Sequence, residues 1–160
     1  MMSEVDGSDG AAVRFPPPFV PLIALVLGVV LHLWLLPLSI PLAGGLRYGI
    51  AGLLLGLGTM LMLGAFGLFR RTGQDPKPWE STPEIISTGI YRLTRNPMYV
   101  SMGLLQGGIG VALANGWVVL LVPVVWAVIY LIAIRHEEAY LEAKFGNVYT
   151  EYKESVRRWL

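Results

Sequence analysis

The sequence predicts an all-α, polytopic membrane protein, with about four transmembrane helices and a cytoplasmic C-terminal amphipathic helical segment. Three observations predict it. Of the 160 residues, 54% are hydrophobic and 14% charged, and the mean hydropathy is +0.59; a soluble domain carries about 25% charged residues. No Asp, Glu, Lys or Arg occurs from Phe15 to Leu46, from Tyr48 to Phe69, or from Asn96 to Ile134. The basic residues gather at one border of the spans that these tracts can hold.

A helix needs about 20 apolar residues to cross a bilayer core. The first two tracts each hold one span, predicted at 19–37 and 47–69. The third holds two short ones, at 97–114 and 117–135, divided at "ANGW" (Ala114 to Trp117), where Asn-Gly is a strong turn signal. Residues 1–14 are small, acidic and Gly/Ser-containing, and read as a disordered tail. That acidic start and the prolines at Pro16 to Pro18 argue against a cleaved signal peptide. Residues 15–160 then form a single domain. In the second span Gly52 and Gly56 form a GxxxG pair, which predicts close helix packing.

The segment 70–96 is too polar for lipid and too long for a simple connector. Trp79, Ile85, Ile86, Ile90 and Tyr91 are too apolar for a free tether, so it is expected to fold back on the bundle. Residues 136–160 change character. Tyr140 with Leu141, and Tyr149, Tyr152, Val156 and Trp159, recur at helical spacing and read as two amphipathic helices broken near Gly146.

Arg14, Arg70, Arg71, Lys77, Arg92, Arg95, Arg135 and the C-terminal Lys and Arg residues share one side of the four-span layout; Arg47 falls on the other. The positive-inside rule then puts both termini and segment 70–96 in the cytoplasm. The compactness of the chain suggests a multi-pass protein of a bacterial inner membrane.

Several functions are excluded. There is no cysteine, hence no disulfide framework, thiolate site or cysteine nucleophile. A net charge of +1 with no basic face offers nucleic acid nothing. His32 and His136 lack partners at ligand spacing, so no metal is expected and His32 reads as a packed residue. No Ser-His-Asp arrangement, P-loop or dinucleotide fingerprint is present.

Two clusters could carry chemistry. In "RNPMY" (Arg95 to Tyr99), Asn96 and Pro97 are the residue types that begin a helix. Unpaired N–H groups and the positive helix end there suit an anion, and Arg92 and Arg95 add charge. The same residues also suit a capped membrane helix with snorkelling arginines. In "RHEE" (Arg135 to Glu138), two carboxylates follow an apolar span. They read either as a solvated helix exit or as a carboxylate that binds hydroxyls or a cation.

The segments "STGIYRLTRNPMYVSMGLLQGGIGVAL" and "RHEEAYLEAKFGNVYTEYKESVRRWL" resemble the integral-membrane methyltransferases, which comprise the isoprenylcysteine carboxyl methyltransferases, the phospholipid methyltransferases and their small prokaryotic relatives. The likeness joins a G-x-Y-x-x-x-R-N/H-P-x-Y block to an E-E pair and an F-G-x-x-Y-x-x-Y tail, and covers about Gly73 to Leu160. It implies S-adenosyl-L-methionine as cofactor and an all-helical, non-Rossmann fold. Tyr91, Asn96, Pro97, Met98 and Tyr99 match its cofactor-holding block, which Arg95 joins by its charge. Glu137 and Glu138 match its acidic pair. Gly64, Ala65 and Phe66 match a glycine-containing cofactor segment, Ile85 and Ile86 a short apolar run, and Arg135 a basic residue near the substrate. The implied reaction works by positioning, without a catalytic side chain or metal, on a lipophilic acceptor from the bilayer: an isoprenylcysteine-like carboxylate, a phospholipid amine or another small lipophilic nucleophile. The competing readings are a non-catalytic lipid-binding membrane protein and a small transporter or channel subunit.

Overall fold

Proline is tolerated at the start of a helix but not in its interior hydrogen-bond ladder, and the run Pro16 to Pro18 hands over directly to the first helix. In the computed structural model, which describes residues 10–160, this is α1, Phe19–Trp34. Next come α2, Gly44–Thr72, a single 3₁₀ turn, Gly89–Arg92, and α3, Pro97–Ala112. The helix α4 is continuous over Gly116–Phe145. Within it a π-helical turn, Tyr130–Ile134, links the regular stretches Gly116–Ile129 and Arg135–Phe145. The last helix is α5, Asn147–Ser155. The described residues form no strand.

By length and composition, α2 and α4 are able to cross a membrane, and α1 is a shorter apolar helix. The predicted boundaries shift for local reasons. The chain turns after α3 with Ala114 in the left-handed region (φ 53°), which ends that helix at Ala112. Asn115 then starts α4: its Oδ1 accepts from the Val118 N–H at 3.2 Å, while its Nδ2 donates to the Gly28 carbonyl of α1 at 3.2 Å. The fourth helix does not stop at 135. It runs on to Phe145, and Gly146 breaks it with φ +53°. Helix α5 does not reach the C-terminus either. It ends at Ser155, and Val156 is extended (φ −126°, ψ 132°).

Helix α3 lies between α2 and α4, and α1 packs on α4. A Cβ built on Gly58 would stand 2.9 Å from Leu105, and one on Gly108 would stand 2.8 Å from Leu55. Ser101 Oγ donates to the Gly58 carbonyl at 2.7 Å across this seam. The predicted GxxxG seam is not used: a Cβ on Gly52 or Gly56 would meet nothing within 4 Å. The α2 face that α3 covers carries Gly58 instead.

Of the predicted disordered tail, residues 1–9 lie outside the described residues. Ala11 and Val13, assigned to the same tail, are buried against a cluster that includes Tyr99, Ile129 and Ile134. The Ala11 N–H donates to the Pro78 carbonyl at 3.0 Å, so this stretch is held against segment 73–88.

Candidate functional site

Three local devices bring the polar residues to one end of the bundle. The first closes α2. Gly73 adopts φ +67°, a value that favours glycine. The turn lets the Gln74 N–H return to the Phe69 carbonyl at 2.9 Å, which buries Gln74 at the mouth of the bundle. The second is the 3₁₀ turn, which sets Tyr91 edge-on to Phe69 with ring centroids 6.3 Å apart and leads into α3. The third is the π turn of α4. It adds a residue to one turn and so rotates everything beyond it, carrying Glu137 and Glu138 onward in an unbroken helix.

These elements enclose a cavity roofed by segment 74–86. Among its lining residues are Phe69, Gln74, Ile85, Ile86, Tyr91, Arg95, Asn96, Pro97, Met98, Tyr99, Glu137 and Glu138, with Tyr140, Tyr149 and Tyr152. Tyr99 donates through its hydroxyl to Glu137 Oε1. Arg95 Nη1 lies 3.0 Å from Glu138 Oε1, and the two side chains are 8% and 13% exposed, so the ion pair is largely withdrawn from water. Arg95 Nη1 also reaches the Tyr149 hydroxyl at 3.4 Å. Glu138 is also held by Arg158, whose Nε and Nη2 donate to its two oxygens at 2.9 Å each. This two-pronged geometry is the strong form of a guanidinium–carboxylate contact.

The walls are aromatic. Tyr152 donates through its hydroxyl to the Tyr91 carbonyl at 2.7 Å, fixing α5 over the 3₁₀ turn. Burial holds the phenols of Tyr91, Tyr149 and Tyr152 above the ordinary tyrosine range, so they face the cavity as neutral rings. The roof is tied down at its far end, where the Thr82 N–H donates to the Tyr140 hydroxyl at 3.2 Å and Lys144 Nζ donates to Ser81 Oγ at 3.0 Å.

Two buried donors stand out. Gln74 Nε2 and Arg95 Nε have no hydrogen-bond partner among the described residues, although both residues line the cavity. A buried donor left unpaired costs about 1–3 kcal/mol, and such groups are rare in folded proteins. Both donors belong to residues of the cavity wall.

The predicted site residues divide into two groups. Tyr91, Arg95 to Tyr99, Glu137, Glu138, Ile85 and Ile86 all line the one cavity. Gly64, Ala65 and Phe66 lie elsewhere on α2. Ala65 is fully buried, a Cβ on Gly64 would touch Ile90 at 3.4 Å, and the cavity's contact with α2 falls at Phe69. Arg135 is exposed and its Nε donates to His136 Nε2 at 3.3 Å; it stands outside the lining. Arg92 is exposed. Asn96 begins α3 but its side chain does not cap the helix; its Nδ2 donates to the Arg158 carbonyl at 3.0 Å. Sequence reasoning missed Gln74, Phe69 and Arg158. Gly73 before Gln74 was the available signal, a left-handed helix terminator that fixes where the next residue points.

The described residues include no group of three or more His, Asp or Glu that could hold a metal ion. The sequence model of the phospholipid methyltransferase family matches residues 43–148, from the approach to α2 to the start of α5. An uncharacterized protein of Haemophilus influenzae is 43% identical over 63 residues, which span all of that protein and 39% of this chain.

Proposed function

The chain belongs to the phospholipid methyltransferase family, and from that premise we propose that it is a membrane-embedded, S-adenosyl-L-methionine-dependent methyltransferase acting on a lipophilic acceptor. The observation that carries the cofactor is the pairing of two unmet buried donors, Gln74 Nε2 and Arg95 Nε, with a carboxylate, Glu137, in one aromatic-walled cavity. S-adenosyl-L-methionine is a zwitterion with a ribose diol and an aromatic base. Its carboxylate suits Arg95 and the α3 N-terminus, its ammonium or diol suits Glu137, and its adenine suits the faces of Tyr91, Tyr149 or Tyr152. These assignments follow charge and shape complementarity.

When bound, the cofactor supplies an electrophilic methyl group on a sulfonium. The residues of this chain bind, orient and dry the site. Glu137 is held in place by the Tyr99 hydroxyl, and Arg95 is aimed by Glu138. Segment 74–86 and Ala11 shield the cavity. Alignment of donor and acceptor then contributes most of the acceleration. The acceptor is a lipophilic nucleophile (a phospholipid amine, an isoprenylcysteine-like carboxylate or a comparable group), entering laterally between the helices.

In this reading α1, α2, α3 and the first part of α4 cross the bilayer, with the cavity at the cytoplasmic border. At 1.5 Å per residue the 16 residues of α1 and of α3 each rise about 24 Å, within the range that local thinning accommodates.

Isothermal titration of the detergent-purified chain with S-adenosylhomocysteine tests the reading. Micromolar binding is expected, and no heat at millimolar ligand would sink it. Glu137→Gln is expected to weaken binding about tenfold, the scale of one charge-assisted hydrogen bond; unchanged affinity would remove Glu137 from the site.

A further inference from the structure

The family match ends at residue 148, yet the last residues of the chain return to the cavity. The Arg95 N–H donates to the Arg157 carbonyl at 2.9 Å. Thr94 Oγ1 and Asn96 Nδ2 both donate to the Arg158 carbonyl at 3.0 Å. The Arg158 side chain takes both oxygens of Glu138, and its guanidinium lies over the Tyr130 ring, 5.0 Å from the centroid. Trp159 packs on Trp126 at 5.7 Å between centroids. The tail thus holds both halves of the site, the residues that open α3 and the acidic pair of α4.

We propose that Arg158 is a positioning residue of the cofactor site, holding Glu138 so that Glu138 aims Arg95 into the cavity. The proposal rests on the cofactor reading above and divides the acidic pair: Glu137 faces the ligand, and Glu138 acts through Arg95. Glu138 accepts from two arginines, which fills its strongest acceptor positions with protein donors. A nearly buried carboxylate needs such partners to offset its desolvation. With Arg158 removed, one oxygen of Glu138 loses its donor and turns toward Arg95 or into the cavity. Arg95 Nε, the unmet donor, then loses its fixed direction. Asn96 belongs to the same device, because its amide is spent on the tail.

Titration of S-adenosylhomocysteine into the full chain tests this. Arg158→Met keeps an unbranched side chain and removes the charge; it is expected to weaken binding about tenfold, as loss of a charge-assisted contact does. Arg158→Lys, which keeps the charge but not the two-pronged geometry, is expected to fall between Arg158→Met and the wild type. The double variant Arg158→Met with Glu138→Gln is expected to bind no worse than the weaker single variant, since both act along one path. Wild-type affinity in a folded Arg158→Met chain overturns the proposal, and so does tighter binding, which would make the tail a competitor for Glu138. Additive losses in the double variant overturn it too. A wild-type chain that binds no S-adenosylhomocysteine overturns the cofactor reading and this proposal with it, an outcome distinct from wild-type binding that Arg158→Met leaves unchanged.

Discussion

Gln74 carries a prediction that separates binding from structure. Its amide is buried and its Nε2 has no partner among the described residues, so in the empty chain it is a cost. Leucine at the same position has similar volume and no donor to strand. Gln74→Leu is therefore expected to raise unfolding stability by about 1 kcal/mol, the lower end of the cost of an unpaired buried group. The same change is expected to weaken S-adenosylhomocysteine binding severalfold. Thermal unfolding in detergent and titration calorimetry give the two signs. A residue kept for folding would lose on both, and a destabilised variant with unchanged affinity refutes the assignment. Gln74 was not read in the sequence as a site residue. It lies outside both polar clusters, and its burial depends on the left-handed turn at Gly73. Arg95 and Glu137, which line the same cavity as Gln74, stood out in the sequence by charge against an apolar run, and Tyr99 by the family resemblance.

At the level of helices, close approach decides which glycines matter. Sequence spacing favoured Gly52 and Gly56, yet a Cβ at either would meet open space. A Cβ at Gly103 would stand 2.4 Å from the Trp126 ring, whose Nε1 donates to the Tyr99 carbonyl at 2.9 Å. Gly103→Val is thus expected to force Trp126 off that carbonyl and to destabilise the chain by about 1–3 kcal/mol, as overpacking does. Gly52→Ala is expected to change stability by less than about 0.5 kcal/mol. Thermal unfolding compares them directly, and equal losses in both would refute the packing of α3 on α4. A motif read along one helix names a small-residue face but not the partner that covers it, so the seam was misplaced. The π turn Tyr130–Ile134 left no sequence signal, and neither did the extended tail after Ser155. The tail depends on contacts made across the bundle, in which Thr94, Arg95 and Asn96 donate to the carbonyls of Arg157 and Arg158.

For the whole molecule, composition and charge order carry the all-helical architecture, while orientation in the membrane remains open to direct test. The cavity, the roof segment and the tail lie at the end of the bundle that carries Arg70, Arg71, Lys77, Arg95 and the C-terminal basic residues. The opposite end carries the Ser39–Asn115 bridge, where Ile40 N–H donates to the Ala114 carbonyl at 3.0 Å. The orientation proposed here, from the retention of positive residues flanking spans in the cytoplasm, has the first end inside and the second outside. The chain has no cysteine, so single cysteines can report each end without background. Lys77, Glu154 and Ser39 are exposed and none belongs to the helix seams. With a membrane-impermeant maleimide, Lys77→Cys and Glu154→Cys are expected to label in inverted membrane vesicles and to stay protected in intact spheroplasts. Ser39→Cys is expected to do the reverse. Labelling of Lys77→Cys from outside would refute the cytoplasmic placement of the cavity, and with it direct access of a cytosolic methyl donor to Arg95 and Glu137. Labelling of Ser39→Cys and Glu154→Cys from the same side would instead give an even number of crossings between residues 39 and 154, or a bundle that lies on the membrane rather than through it.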